Sequence, residues 1–154
     1  MPVFGGIREE VLRFLLAHCA TVAIGAQEYF FREGDAADGM FVLEAGRVAV
    51  LKAWDGQQHL LGHLEAGDCF GEMALLDLFP RSASVLAVMP CTALHLTSDN
   101  FYELYKHDLE QFALVQMNLG REVTRRLRAA DERLFRAGDG NPYSAEAERQ
   151  LPLL

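Results

Sequence analysis

The chain has 154 residues, 51% of them hydrophobic and 23% charged, with 14 Lys and Arg against 22 Asp and Glu for a formal net charge of −8. This is the composition of one globular domain with a core of ordinary size, and its acidic balance argues against a chain that grips nucleic acid or an anionic membrane along its whole surface. No apolar run approaches the roughly 20 residues of a membrane span, and Met1-Pro2-Val3-Phe4-Gly5-Gly6 lacks the charged and apolar blocks of a signal peptide, so no membrane partner and a cytoplasmic location are expected.

From Ile7 to Ala17, apolar Ile7, Val11, Phe14 and Leu15 recur at helical spacing beside Arg8, Glu9, Glu10 and Arg13, which predicts a short amphipathic helix within 7–19. From residue 20 to 97 the pattern changes to short strands. Val22–Ile24, Glu28–Phe31, Gly39–Glu44, Arg47–Ala53, His59–Leu64, Ser84–Ala87 and Ala93–Leu96 are each bounded by Gly, Asp or Pro. So many short strands at regular spacing indicate a closed or two-sheet β architecture. Asp55-Gly56 is a hairpin signal, and Gly34-Asp35 and Gly46-Arg47 supply further sharp reversals. Past Thr97 the pattern turns helical over 99–137, with Ser98 or Asp99 as N-cap and a break at His107-Asp108. From Leu109 a long helix carries Phe112, Val115, Leu119, Val123, Leu127, Ala130 and Leu134 at spacings of three and four, a stripe that asks for a partner surface. Gly138 to Pro142 ends it, and 138–154 is a polar tail with a final Leu151-Pro152-Leu153-Leu154. Cys19, Cys69 and Cys91 are odd in number and far apart, so buried free thiols are expected.

The chemistry concentrates between Leu61 and Val85. Glu72 and Arg81 stand nine positions apart around a short apolar segment. Gly71 permits close approach of backbone to a ligand. Met73-Ala74-Leu75-Leu76 suits a single helical turn whose first N–H groups face an anion. Arg81 adds a full positive charge and a forked donor that matches phosphate, and Ser82 and Ala83 offer further N–H groups. Glu72, an acceptor when ionised, suits a sugar hydroxyl. The five histidines show no metal-ligand spacing, and no nucleophile–base arrangement or second carboxylate stands beside Glu72, so neither a metal site nor catalysis is expected.

Phe70-Gly71-Glu72-Met73-Ala74-Leu75 and Pro80-Arg81-Ser82-Ala83-Ser84-Val85 resemble the phosphate-binding cassette of the cyclic nucleotide-binding domain family, F-G-E-[LI]-A-L followed by P-R-x-A-[ST]-V. Met73 in place of Leu or Ile is the departure in the first half. Gly34-Asp35, Gly39, Phe41-Val42-Leu43, Gly46-Arg47-Val48, Leu61-Gly62 and Gly67-Asp68 extend the resemblance over roughly 27–104. It implies a mainly β fold with flanking helices: a double-stranded β-helix or jelly-roll (β-roll) with its cassette at 70–85, and a long C-terminal helix. The domain would span 1–137.

The resemblance also implies a ligand, cAMP or cGMP, and a site without a cofactor. Arg81, the N–H groups of Ser82 and Ala83, and the amides of Met73 and Ala74 beside Gly71 would hold the phosphate, and Glu72 would accept from the ribose 2′-hydroxyl. Val50, Leu61, Leu64, Phe70 and Val85 would wall the ribose and base, although plain core is an equally good reading of each. The last helix would act as a lid and as a homodimer seam over 109–134. In that helix the Arg-rich run 121–136 looks like the lid of bacterial transcription regulators. Arg126 is a candidate for the ligand phosphate, and Asp131 could accept from a guanine N1–H and N2–H₂, which brings cGMP into play beside cAMP. No helix-turn-helix pattern follows, so direct DNA contact is not expected and the downstream protein partner is left open. Two alternatives stand beside the sensor reading: a protein-interaction module of the same fold that binds no nucleotide, and a regulator whose DNA-binding part is on another chain.

Overall fold

The computed structural model describes residues 1–138, so the expected tail 138–154 lies outside the described residues except for Gly138. The chain divides into two units, residues 1–120 and a second beginning at Arg121.

The first unit opens with a 3₁₀ turn, Pro2–Phe4, and α1, Glu9–His18. Eight strands follow, and one short helix interrupts them. They are β1 (Ala20–Ile24), β2 (Tyr29–Phe31), β3 (Gly39–Ala45), β4 (Arg47–Trp54), β5 (Gln57–Glu65), β6 (Cys69–Phe70), then α2 (Glu72–Asp77), β7 (Ser84–Ala87) and β8 (Cys91–Thr97). α3 (Ser98–His107) and α4 (Leu109–Ala137) complete the order, and α4 crosses into the second unit. The strands make two four-stranded antiparallel sheets, ordered β1-β8-β3-β6 and β2-β7-β4-β5. The architecture is thus mainly β with flanking helices and a long last helix.

Period-two alternation in the central strands explains how two cores coexist. On β3, Phe41 and Leu43 join Val48, Phe70, Val85, Ala87, Cys91 and Ala93 in one cluster. Met40 and Val42 belong to another, with Leu94 and Leu96 of β8 and the helical residues Val11, Leu15, Phe101, Leu104, Val115 and Leu119. β3 is therefore buried on both sides from Gly39 to Leu43, and reads as a continuous apolar run. Asn118 ties the N-terminus to this helical layer, donating from Nδ2 to the carbonyls of Val3 at 3.1 Å and Gly5 at 2.8 Å.

Several boundaries differ from the sequence expectation for local reasons. α1 starts at Glu9 because Arg8 is extended, with its N–H donating to Oε1 of Gln111 at 2.7 Å. The cap of α3 is Thr97 rather than Ser98 or Asp99: its Oγ1 accepts from the Asn100 N–H at 3.2 Å, and the Asn100 side chain accepts from the Thr97 N–H at 2.9 Å. That reciprocal box satisfies two donors at once, which a lone cap one residue later would not. β6 is only two residues long, paired to Phe41 and Val42, too short to show a period. The Asp55-Gly56 hairpin is present, with positive φ at both residues (51° and 73°) as a tight two-residue reversal requires. None of the three cysteines is in a disulfide among the described residues, and Cys69 and Cys91 are buried, but Cys19 is only partly so.

In the second unit α4 runs on to Ala137, where the N–H of Gly138 donates to the Leu134 carbonyl at 3.0 Å. Glu122 gathers two arginines: Arg125 Nη2 at 2.6 Å and Arg126 Nε at 3.0 Å. Leu127, Leu134 and Phe135 are exposed. No helix among the described residues is long and apolar enough to cross a membrane.

Candidate functional site

Gly71 is the pivot between β6 and α2. Its φ of +80° suits glycine, and a Cβ built there would come within 2.5 Å of Arg81 Nη1. That closeness is used, because Nη1 donates to the Gly71 carbonyl at 3.0 Å. α2 then runs only from Glu72 to Asp77 and is ended by Leu78 in the left-handed region, its N–H donating to the Ala74 carbonyl at 3.1 Å. Glu72 and Ala74 face inward; Met73 and Leu76 face solvent.

Arg81 is 5% exposed. The turn at Gly34-Asp35 pins its backbone: the Arg81 N–H donates to the Asp35 carbonyl at 2.9 Å, and the Gly34 N–H to the Arg81 carbonyl at 2.8 Å. The guanidinium lies over the Phe31 ring, 4.1 Å from its centre, and 5.9 Å from that of Phe41. Its Nε is buried and has no hydrogen-bond partner among the described residues. Burial pulls the guanidinium pKa down, while Asp38, Asp35 and Glu72 oppose that pull. A buried cation with an unmatched donor is a costly arrangement for a site with no ligand to receive it.

The segment after Arg81, which leads into β7, is braced from the neighbouring strand β4. Lys52 Nζ on β4 donates to the Ser82 carbonyl at 2.7 Å and to Glu33 Oε1 at 2.6 Å. Glu33 also accepts from the Ala53 N–H at 2.9 Å, and its own N–H donates to Ser84 Oγ at 2.8 Å. The Lys52 ammonium and the Ala53 amide hold the Glu33 carboxyl below the ordinary 4.5. Ser82 Oγ points to Met73 Sδ at 3.7 Å, which joins the two halves of the loop across their mouth.

Among the expected wall residues, Phe70 and Val85 are buried in the inter-sheet cluster, and Val50 and Leu64 pack against it. Leu61 differs. Val50 pairs with Gly62 and Leu51 with Leu60, so Leu61 sits at a bulge, 51% exposed, and lies outside that cluster. Arg126 and Asp131 belong to the second unit, where Arg126 holds Glu122 and Asp131 is exposed. Sequence reasoning passed over Glu33, Lys52, Asp38, Phe31 and Phe41. The Phe41-Val42-Leu43 run signalled a strand, but nothing in it marked the ring as a neighbour of Arg81.

The cyclic nucleotide-binding domain model matches residues 21–108. The chain is 31% identical over 131 residues to the cyclic AMP receptor protein of Thermus thermophilus, covering 84% of this chain and 59% of that one. It is 32% identical over 119 residues to the cAMP-activated global transcriptional regulator Vfr of Pseudomonas aeruginosa, covering 74% and 54%. Among solved structures, a cyclic nucleotide-binding domain from Methylobacillus flagellatus superposes with a TM-score of 0.81 at 27% identity, over 87% of this chain and 76% of that one. The chain thus spans less than two thirds of the length of either curated relative.

Proposed function

The chain belongs to the cyclic nucleotide-binding domain family, and from that premise we propose that it is a non-catalytic sensor for a cyclic purine nucleotide. The observation that carries this reading is Arg81, a buried guanidinium whose Nε has no partner among the described residues. A ligand phosphate answers it in charge and in hydrogen bonding. In this reading the N–H groups of Ser82 and Ala83, with the amides of Met73 and Ala74 beyond Gly71, take the remaining phosphate oxygens. Glu72 accepts from the ribose 2′-hydroxyl, the group that separates the ligand from a deoxy analogue. Val50, Leu64, Phe70 and Val85 supply apolar surface for ribose and base, and Leu61 is proposed to fold over them from its bulge.

The names of the bacterial relatives support cAMP, and a carboxylate at Asp131 supports cGMP. Binding shifts a population in which α4 is the moving part, with Arg126 and Asp131 its ligand-facing residues. The exposed Leu127 and Leu134 support a homodimer seam along 109–134, read in turn by a downstream protein. A second reading, a protein-interaction module, is favoured by one observation. A groove of about 470 Å³ opens between α2, α3 and the first turns of α4, lined by Leu75, Leu76, Phe101, Tyr102, Tyr105 and Phe112 among others.

Calorimetric titration of the chain with cAMP and with cGMP separates the two. Saturable binding of one nucleotide per chain is expected, and the tighter ligand assigns the role of Asp131. Heat from neither nucleotide would reject the sensor in favour of the interaction module.

A further inference from the structure

Met73 stands where the family pattern has Leu or Ile, in the mouth of the loop that Arg81 closes. It is 49% exposed, and its Sδ lies 3.7 Å from Ser82 Oγ, the hydroxyl next in sequence to the buried guanidinium. An aliphatic side chain in this place would offer no acceptor to that hydroxyl and nothing to oxidise. We infer that Met73 is an oxidation site whose conversion to the sulfoxide weakens the anion pocket beside it. The inference rests on the sensor reading, because it takes Ser82 as part of the phosphate pocket.

The chemistry needs a peroxide, and hydrogen peroxide suffices. A sulfur lone pair attacks one peroxide oxygen, the S–O bond forms as the O–O bond breaks, and the departing hydroxide takes up the remaining proton to leave as water. Sulfur is oxidised by two electrons and the peroxide is reduced by two, with no further reactant. The product replaces a weak thioether acceptor with a strongly polar oxygen. That oxygen accepts the Ser82 hydroxyl more strongly than sulfur does and draws Ser82 out of the position in which its backbone N–H serves the phosphate. Because Met73 is on the outer side of α2, the added oxygen meets solvent rather than core, and the fold survives the change.

The test treats the full chain with hydrogen peroxide and locates sulfoxides by peptide mass spectrometry. The chain is then titrated with whichever of cAMP and cGMP the reduced protein binds more tightly, beside Met73→Leu. Exposed Met89 and Met117 serve as internal controls for oxidation elsewhere. Loss of one hydrogen-bond partner predicts affinity weaker by about fivefold or more in the oxidised parent, restored by methionine sulfoxide reductase and absent in Met73→Leu. The inference is overturned if Met73 stays reduced while Met89 and Met117 oxidise, or if parent and variant lose affinity equally. Failure of the reduced protein to bind either nucleotide, seen before any peroxide is added, would instead remove the sensor reading and this inference with it.

Discussion

At the scale of single residues, the proposed site rests on two side chains and one absence of a side chain. Glu72 and Arg81 stood out in the sequence because their neighbours form an ordered motif, and the structure buries both; Gly71 stood out as a turn residue, and its positive φ and the closeness of Arg81 are what the structure adds. Gly71→Ala tests that geometry. The alanine methyl would meet Arg81 Nη1 at 2.5 Å in a backbone conformation with φ of +80°, so the variant should lose about 1–3 kcal/mol of stability and bind nucleotide more weakly, read by thermal unfolding and titration. Parent-like unfolding and binding would mean that Arg81 moves aside freely. Lys52 and Glu33 were not legible. Their hydrogen bonds to each other and to Ser82, Ala53 and Ser84 join residues 19 to 51 positions apart, and a lysine near a hairpin tip looks in sequence like any solvated cation.

At the scale of elements, the apolar periods located seven strands, and all seven are present in the structure, Ser84–Ala87 with the expected ends and the other six with an end displaced by one or two residues. The reason for the displacements is pairing. β8 extends to Cys91 and Thr97 because Ile24 and Gly39 lie opposite those ends, information held by other strands. The bulge at Leu61 escaped for the same reason, since alternation along β5 alone cannot reveal an extra residue against β4. In α4, the Glu122 carboxyl sits below the ordinary 4.5, chiefly through its hydrogen bond to Arg125 and with help from Arg126. A carboxylate whose folded pKa is depressed adds stability above its unfolded value, and that stability is lost as pH falls through the depressed one. Unfolding followed by circular dichroism should therefore show the parent losing stability relative to Glu122→Gln as pH drops from 5 into the range below the unfolded pKa of about 4.3. A constant difference between the two would remove Glu122 as a contributor.

At the scale of the whole molecule, composition indicated one domain of ordinary core, and the family pattern implied two sheets with helices around them, which the structure has. What composition could not reveal is how α4 divides, with its turns to Gly120 packed in the first unit and exposed Leu127, Leu134 and Phe135 beyond. If those residues form the proposed seam, sedimentation should find a dimer in the parent and a monomer in a Leu127→Asp, Leu134→Asp double variant; a monomeric parent would remove the seam. The central claim is that one buried guanidinium captures a nucleotide phosphate, and the most direct measurement is calorimetric titration of the parent beside Arg81→Ala, with circular dichroism to confirm that the variant is folded. The account predicts saturable binding by the parent and affinity weaker by at least about 30-fold in the variant, as expected when a buried charge loses its partner. Equal affinity in the two proteins would contradict it.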